Sequence, residues 1–347
     1  MIIITNEKDR KQLKSNLLKT IRKGDYDALK AFVCDLKGDK IRIAKINVEN
    51  FSYIAARHGD MEIIRFLLKY NANIHIIFKI LAEHGHLNAL KQLQAEYDIN
   101  LNKNKPQASL ALVVATLNSH TDVVKYLYEQ GARSDEIMQR AIERNAIDIV
   151  KYLIGKGESI TYNFNQALRT ASRMGCFEIV KLLVENGAYV QDSNNYALRH
   201  AAEYGHLAIM KYLIAHCANI DVSAEYALIW AAKNGHLDII KYLHSLGISL
   251  ALKNSAALCW AAEDGRIEVV KYLLENNIDV QAQNNDALIS AAFEGHLELV
   301  KYLVEKGADI HAQNGLALKM AKNNKQKKVI TYLEEVLQND HDCARER

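Results

Sequence analysis

Proline is almost absent from this chain of 347 residues, in which Pro106 is the only one. Because proline breaks helices and stiffens linkers, its scarcity favours continuous helix and excludes proline-rich connections between domains. Cysteine is scarce as well, and the five cysteines lack the close pairing of a metal site: Cys34, Cys176, Cys217, Cys259 and Cys343. A chain of this length does not need disulfides for stability, so we expect reduced thiols and a cytoplasmic protein.

Long apolar runs and a strong net charge are also missing. The start MIIITNEKDR has too short an apolar run for a signal peptide, and no segment approaches the ~18 apolar residues of a membrane span. The net charge is +3, and residues 1–50 hold 12 Lys and Arg against 7 Asp and Glu, which leaves 32 against 34 elsewhere. We therefore expect no membrane association, and nucleic acid is a poor partner for most of the chain.

The motifs of enzymes are missing too. The sequence contains no phosphate-binding loop, no Rossmann glycine pattern, no nucleophile elbow, no HExxH and no Cys-x-x-Cys. We expect no enzyme activity, no cofactor, no bound metal and no small-molecule substrate.

A repeated phrase fills most of the chain instead. AAEYGHLAIMKYLI at 201–214 returns as AAKNGHLDIIKYLH at 231–244, AAEDGRIEVVKYLL at 261–274 and AAFEGHLELVKYLV at 291–304, a step of 30 residues. Eleven positions share one register: Gly24, Gly59, Gly85, Ser119, Asn145, Gly175, Gly205, Gly235, Gly265, Gly295 and Lys325. The step is 30 residues from Asn145 onward, whereas the earlier steps are 35, 26, 34 and 26.

Each unit predicts two helices. Ala197, Leu198, Ala201 and Ala202 share one face of a first helix, and Leu207, Met210, Leu213 and Ile214 form the apolar stripe of a second. A left-handed turn at the register position ends the first helix. The second helix stops twelve residues later at Gly131, Gly157, Gly187, Gly247, Gly307, Asn71 and Asn277. One hairpin cannot cover its own stripe, so the units must stack into an all-α solenoid of helix-turn-helix repeats.

The unit resembles the ankyrin repeat, and Gly295–Ile310 is close to that family's consensus. Ankyrin units have about 33 residues and usually open with Thr-Pro-Leu-His. Here Tyr196, Ala197, Leu198 and Arg199 stand at that opening, so we expect short inter-repeat turns in place of β-hairpins. Shortened units in long arrays are similar to the large ankyrin paralogue sets of giant DNA viruses, which implies a viral protein acting in the host cytoplasm.

The resemblance implies an ankyrin-type solenoid of about eleven repeats. Their expected boundaries are 1–46 for an N-terminal capping repeat, then 47–75, 76–104, 105–134, 135–164, 165–194, 195–224, 225–254, 255–284 and 285–314, with a C-terminal capping repeat at 315–337. Lys322, Lys325, Gln326, Lys327 and Lys328 replace apolar residues in the last of these, as a solvent-facing cap requires. Residues 98–109, DINLNKNKPQAS, are expected to be non-helical and locally weak.

Three residue types recur once per repeat. Histidines precede the second helix at His86, His120, His206, His236 and His296, and we expect them to be structural because neighbours about 10 Å apart cannot share a metal. Four histidines lie closer together in the sequence, and we expect no metal site among them either: His58, His75, His84 and His86. Basic residues form a row that acids three residues earlier neutralise in most repeats: Lys30, Arg65, Lys91, Lys125, Lys151, Lys181, Lys211, Lys241, Lys271 and Lys301. Tyrosines follow them, at Tyr126, Tyr152, Tyr212, Tyr242, Tyr272, Tyr302 and Tyr332, and predict packing between repeats.

The predicted function is a protein–protein interaction scaffold. In ankyrin stacks partners usually meet the concave side, and its register implies these binding residues: Tyr196, Tyr204, Tyr226, Trp230, Trp260, Phe293, Glu203, Glu263 and Asp264. Because the charges in this register are mostly acidic, we expect a partner segment with basic and apolar side chains. Two alternatives remain: a substrate adaptor in ubiquitin transfer, and a polyanion-binding rod that uses Lys8, Arg10, Lys11, Lys14, Lys19, Arg22 and Lys23.

Overall fold

The structure is a computed structural model that describes residues 25–37, 48–101, 105–216 and 218–345. The chain divides into two compact units, Met1–Ser159 and Ile160–Arg347, which are described separately. Helices are the only regular elements in the described ranges, which confirms the all-α class. None of the helices in these ranges has the length and apolar character needed to span a bilayer.

Nine described helices belong to the first unit. They are α1 Tyr26–Lys37, α2 Val48–Arg57, α3 Met61–Leu68, α4 Ile74–Glu83, α5 Leu87–Glu96, α6 Lys105–Leu117, α7 Thr121–Glu129, α8 Ile137–Glu143 and α9 Ile147–Gly155. From α2 onward they alternate between first and second helices of successive hairpins. First helices pack on first helices, as α4 does on α6, and each also packs on the second helix of its own hairpin.

Twelve helices form the second unit. They are α10 Tyr162–Met174, α11 Phe177–Glu185, α12 Asp192–Glu203, α13 Leu207–Ala215, α14 Ile220–Asn234, α15 Leu237–Ser245, α16 Leu252–Glu263, α17 Ile267–Glu275, α18 Ala282–Glu294, α19 Leu297–Glu305, α20 Ala312–Asn323 and α21 Lys327–Arg345. The first helices α10, α12, α14, α16, α18 and α20 pack side by side in that order. The last helix, α21, continues beyond residue 337, where the closing repeat was expected to end.

The predicted left-handed turns are confirmed at every described register position. The backbone φ is positive at Gly59, Gly85, Ser119, Asn145, Gly175, Gly205, Gly235, Gly265, Gly295 and Lys325, between 52° and 86°. The second set of stops is left-handed too: φ is 92° at Gly187 and 64° at Asn277. Both helices of a repeat therefore end for the reason the sequence indicates, a conformation in which a Cβ is unfavourable.

The core is made by the small and branched residues of the repeated phrase. Leu198, Ala201 and Ala202 of the first helix and Met210 and Leu213 of the second are fully buried. Alanine pairs let neighbouring first helices approach closely, and each buried leucine contributes about 1.5–3 kcal/mol relative to exposure. The apolar stripe of each hairpin is thus covered by the next hairpin within the unit.

A buried asparagine turn recurs in three repeats of the second unit, and the sequence reasoning missed it. Asn165, Asn195 and Asn285 have φ of 52°, 58° and 66° and are at most 5% exposed. Asn195 donates from Nδ2 to the Asn219 carbonyl over 2.9 Å and accepts from the Asn219 N–H over 3.3 Å. The side chain thus supplies the hydrogen bonds that a β-hairpin would otherwise provide, which accounts for the short connection.

The expectation for residues 98–109 is wrong in its second half. Helix α6 begins at Lys105, so residues 105–109 are helical. Pro106 lies in the first turn, where the missing N–H has no intrahelical partner to lose and the fixed φ already suits a helix. The polar composition misled the sequence reading here, because proline at a helix start resembles proline in a loop. Residues 102–104 lie outside the described part of the chain.

Candidate protein-binding surface

The residues predicted to bind a partner all lie in the second unit. Tyr196 and Glu203 are on α12 and Tyr204 follows it; Tyr226 and Trp230 are on α14; Trp260 and Glu263 are on α16 and Asp264 follows it; Phe293 is on α18. The first helices α12, α14, α16 and α18 each pack against the next one in the series, so the nine residues lie on adjacent helices. We call the side-chain layer formed by these residues, together with Arg169, Arg199, His200 and Lys233, the first-helix surface.

The nine predicted residues differ in how accessible they are. Tyr204 is 47% exposed, Trp260 37% and Tyr196 36%, so these three aromatic rings are open to a partner. Tyr226, Trp230 and Phe293 are less accessible, because each of them is half-buried. Register alone does not rank the aromatic residues, whereas the structure separates three exposed rings from three that are less accessible.

Tyr226 is held in place by an arginine and a glutamate. The Arg199 guanidinium carbon lies 3.7 Å from the Tyr226 ring centroid and 5.3 Å from that of Tyr196, so the cation is flanked by two tyrosines. Tyr226 donates its hydroxyl proton to Glu203 Oε2 over 3.0 Å. Burial and this hydrogen bond raise the pKa of Tyr226 to about 12, so the phenol stays neutral. Tyr226 is therefore a positioning element between two repeats rather than a free contact.

His200 fills the space between two predicted residues. Its ring centroid is 4.7 Å from that of Tyr196 and 6.0 Å from that of Tyr204, and Nδ1 lies 3.1 Å from Glu203 Oε2. Burial lowers the pKa of His200, and the nearby Arg173 and Arg169 charges act in the same direction, although Glu203 opposes them. A neutral imidazole with its proton on Nδ1 fits this contact, because the carboxylate can only accept.

Glu203 was predicted as a surface acid, but its carboxylate already has two partners. Tyr226 and His200 both reach Oε2, and the backbone carbonyl of the same residue accepts from His236 Nε2 over 3.0 Å. Its side chain is only 17% exposed. Glu203 therefore stabilises the surface from within and has little capacity left for a partner.

Trp230 and Trp260 flank one lysine. The Lys233 amine lies 4.1 Å from the Trp260 ring centroid and 5.7 Å from that of Trp230. Its distance to Glu263 Oε1 is 3.9 Å, too long for a direct hydrogen bond. The Tyr226 and Trp230 centroids are 5.6 Å apart, so one run of aromatic and cationic groups connects α12, α14 and α16.

Sequence reasoning missed the cationic members of this surface. It emphasised acids, yet Arg199, His200 and Lys233 occupy the same helical faces as the predicted residues. The signal was available, because His200 shares the register of Trp230 and Trp260, and Lys233 that of Glu203 and Glu263. It also missed Tyr162 and Tyr189, which are 67% and 61% exposed near the starts of α10 and α12.

The recurring histidines join one repeat to the repeat before it. Each Nε2 reaches a backbone carbonyl about thirty residues earlier: His86 to Arg57, His120 to Glu83, His206 to Arg173, His236 to Glu203 and His296 to Glu263, over 2.7–3.0 Å. Because a carbonyl only accepts, Nε2 carries the proton and donates. The structural interpretation is confirmed. In the part of the chain that the structure describes, no group of three or more His, Cys, Asp or Glu side chains is arranged to hold a metal ion.

The lysine row packs against the tyrosine row of the next repeat. The lysine amine to tyrosine centroid distance is 5.4 Å for Lys91 and Tyr126, 5.0 Å for Lys211 and Tyr242, and 5.5 Å for Lys241 and Tyr272. Several lysines also pair with the acid three residues earlier, as Lys271 does with Glu268 over 2.8 Å. The packing role of the tyrosines is confirmed. The basic residues from Lys8 to Lys23 lie outside the described residues.

Comparison with known proteins identifies one family. The ankyrin repeat models match residues 53–79, 78–164, 168–254 and 228–314, which together span more than half of the chain. Among solved structures, the human ASB11 ankyrin repeat domain is similar, with 22% identity and a TM-score of 0.49 over 58% of this chain and 98% of that one. No curated protein matches the sequence. The family matches include every helix that carries the nine predicted residues.

Proposed function

Because the chain belongs to the ankyrin repeat family, we propose that it is a scaffold that binds a partner protein on the first-helix surface of its second unit. Ankyrin repeats support protein–protein interaction as the class of function, and they are typically not enzymes. The observation that carries the proposal is the set of exposed rings on the first-helix surface, with Tyr196 and Tyr204 in one repeat and Trp260 two repeats further along the chain.

These rings have the chemistry of interface anchors. Tyrosine and tryptophan dominate binding energies where they stand on a rigid support, because they bury a large area and lose little side-chain freedom. Here the support is rigid: Arg199 and His200 fill the gaps beside Tyr196, and Glu203 holds both Tyr226 and His200. A partner therefore meets rings whose positions are already set.

The partner segment that fits this surface carries apolar side chains and at least one basic side chain. Apolar groups suit Tyr196 and Tyr204, while Glu263 and Asp264 beside Trp260 place negative charge at that end. We therefore expect the basic side chain of the partner to bind near α16. The part of the surface near α12 carries the positive charges of Arg169 and Arg199, which repel a cation.

Affinity purification followed by calorimetry tests the proposal. The full chain is used to recover a partner, and its affinity for wild type is compared with that for Tyr196→Ala, Tyr204→Ala and Trp260→Ala. At least one substitution should cost about 1 kcal/mol or more of binding energy. Tyr70→Ala in the first unit, where the ring is 40% exposed, is the matched control. If the three second-unit variants bind the partner as tightly as wild type and Tyr70→Ala do, the binding site lies elsewhere.

The other hypotheses stay predictions. No geometry among the described residues favours a ubiquitin adaptor. Steep weakening of binding by salt would point to the polyanion-binding rod. A viral origin, with action on host factors in the host cytoplasm, rests only on the shortened repeats.

A further inference from the structure

A lysine of this chain already occupies a site suited to an organic cation. The Lys233 amine lies over the Trp260 ring and beside Trp230, the only two tryptophans of the sequence. An ammonium group is attracted to the negative face of an indole, and tryptophan is the most favourable aromatic residue for this contact. The arrangement shows that a primary ammonium group fits between the two rings.

The contacts that hold Lys233 there are loose. Its amine is 3.9 Å from Glu263 Oε1, whereas comparable lysines of the array reach their glutamates over 2.8 Å and 2.9 Å. The Glu263 side chain is 41% exposed and the Trp260 residue 37% exposed. The carboxylate and the indole are therefore both accessible to a group that arrives from solvent.

We propose that Trp230, Trp260 and Glu263 form a cation site that binds a lysine or arginine side chain of a partner protein, with Lys233 as the resident that the partner displaces. The proposal rests on the function proposed above and names the chemistry of one contact on that surface. One ammonium or guanidinium replaces another between the rings, so the charge of the site does not change. The flexible stem of Lys233 carries its amine into solvent when the site is taken.

Among the described residues no other cation–aromatic contact joins two indoles, because Trp230 and Trp260 are the only tryptophans of the sequence. The Arg199 guanidinium carbon is 3.7 Å from the Tyr226 ring centroid, and its Nε atom is buried. Arg199 is therefore held inside the array and is not easily displaced by a cation from a partner. Lys211 lies 5.0 Å from Tyr242 on the second-helix side, with one ring in place of two. Two indoles and an accessible carboxylate come together around Lys233.

The test uses the full chain and a short glycine–serine peptide with lysine at alternate positions. Labelled peptide reports affinity by fluorescence anisotropy, and indole emission reports the location because both tryptophans belong to the site. Lys233→Met removes the resident cation and should tighten binding about two- to fivefold, the range expected for one exposed cation–π contact. Glu263→Gln and Trp260→Leu should weaken it, with helicity checked by circular dichroism.

Two controls remove trivial explanations. Lys211→Met makes the same charge change away from the site and should leave peptide affinity unchanged. A peptide with glutamate in place of lysine should not bind. The proposal is overturned if Lys233→Met gains no more affinity than Lys211→Met, if the glutamate peptide binds equally well, or if lysine-peptide binding leaves the indole emission unchanged. Each of these results leaves the calorimetric test of partner binding intact, so failure of the cation site is distinguishable from failure of the scaffold function.

Discussion

The two units are built from the same hairpin but differ in how strictly they repeat it. In the second unit the register step is 30 residues throughout, and each described register turn before the last repeat is a glycine: Gly175, Gly205, Gly235, Gly265 and Gly295. In the first unit the steps vary, and Ser119 and Asn145 adopt the same left-handed turn with φ of 58° and 52°. A positive φ is therefore not the only reason for glycine.

The neighbouring repeat supplies the second reason. A Cβ added to Gly205 would lie 2.7 Å from the His236 ring, and one added to Gly85 would lie 2.6 Å from His120. In the repeat that follows Ser119, Ala146 occupies the position that His236 has after Gly205. The hydrogen bond to the preceding repeat comes instead from Arg144 Nε, which donates to the Leu117 carbonyl. Glycine is thus required where a longer side chain of the next repeat lies over the turn, as His236 does at Gly205 and Gln326 does at Gly295, and a small polar residue is tolerated at Ser119, where the next repeat has alanine in that position.

The largest effect is expected from breaking this contact. Gly205→Ala should destabilise the protein by about 1–2 kcal/mol through backbone strain and about 1–3 kcal/mol more through the clash with His236. Gly187→Ala is the control, because its φ is 92° but nothing lies within 4 Å of an added Cβ. Urea unfolding followed by circular dichroism measures both. Equal losses in the two variants would show that the histidine contact is unimportant.

The asparagine turn should have the next largest effect. Asn195→Ala removes the side chain that donates to the Asn219 carbonyl and accepts from its N–H, and it puts alanine at a φ of 58°. We expect a loss of about 1–3 kcal/mol in unfolding free energy. Asn314→Ala is the control. Asn314 has a similar φ of 60° in the corresponding turn of a later repeat but is exposed, so this variant measures the cost of the left-handed backbone alone. A smaller loss for Asn195→Ala than for Asn314→Ala would contradict this account.

In the first unit, polar contacts between repeats take over part of this role, and Tyr128 tests one of them. Its hydroxyl donates to Glu158, and its ring is 3.8 Å from the Arg133 guanidinium carbon. Tyr128→Phe should cost about 1.5–3 kcal/mol, the range for a hydrogen bond to a charged group. Thermal unfolding at neutral pH measures it, with Tyr162→Phe at an exposed ring as the control.

The same tyrosine gives a pH dependence. Burial and the Glu158 hydrogen bond raise the pKa of Tyr128 to about 12, above the ~10 of an unfolded chain. Its contribution to stability is therefore complete below pH ~10 and is lost as the pH rises towards 12. Tyr128→Phe should lose less stability than wild type between these pH values. Parallel pH profiles for the two proteins would contradict the assignment.

A small gain is expected from making the first unit more like the second. Ser119→Gly relieves a left-handed serine and should stabilise the protein by roughly 0.5–1 kcal/mol after the entropy cost of glycine is subtracted. Ser134→Gly should lower stability, because Ser134 has no positive φ and its hydroxyl accepts from the Glu136 N–H. Denaturant midpoints distinguish the two signs. A loss for Ser119→Gly would mean that the serine side chain stabilises the turn.

The sequence predicted the fold because one period controls both helices of every repeat. Gly205 and its equivalents indicated the turns, and the alanine and leucine pattern indicated the core. It predicted the binding surface only in part, because register shows which residues share a face but not which of them bury each other. Tyr196 and Tyr226 share one register position, yet Arg199 of the preceding repeat lies 3.7 Å from the Tyr226 ring and Glu203 accepts its hydroxyl proton, while Tyr196 stays 36% exposed. Such contacts join residues 23 to 27 positions apart and depend on side-chain direction.

Hydrogen exchange of the full chain, alone and with the partner recovered by affinity purification, tests the central claim most directly. The account predicts that the partner slows exchange in peptides covering α12, α14 and α16, and leaves α2 to α8 of the first unit unchanged. The regular unit would then be the one that binds. Protection confined to residues 48–143, with none between 192 and 263, would contradict the account.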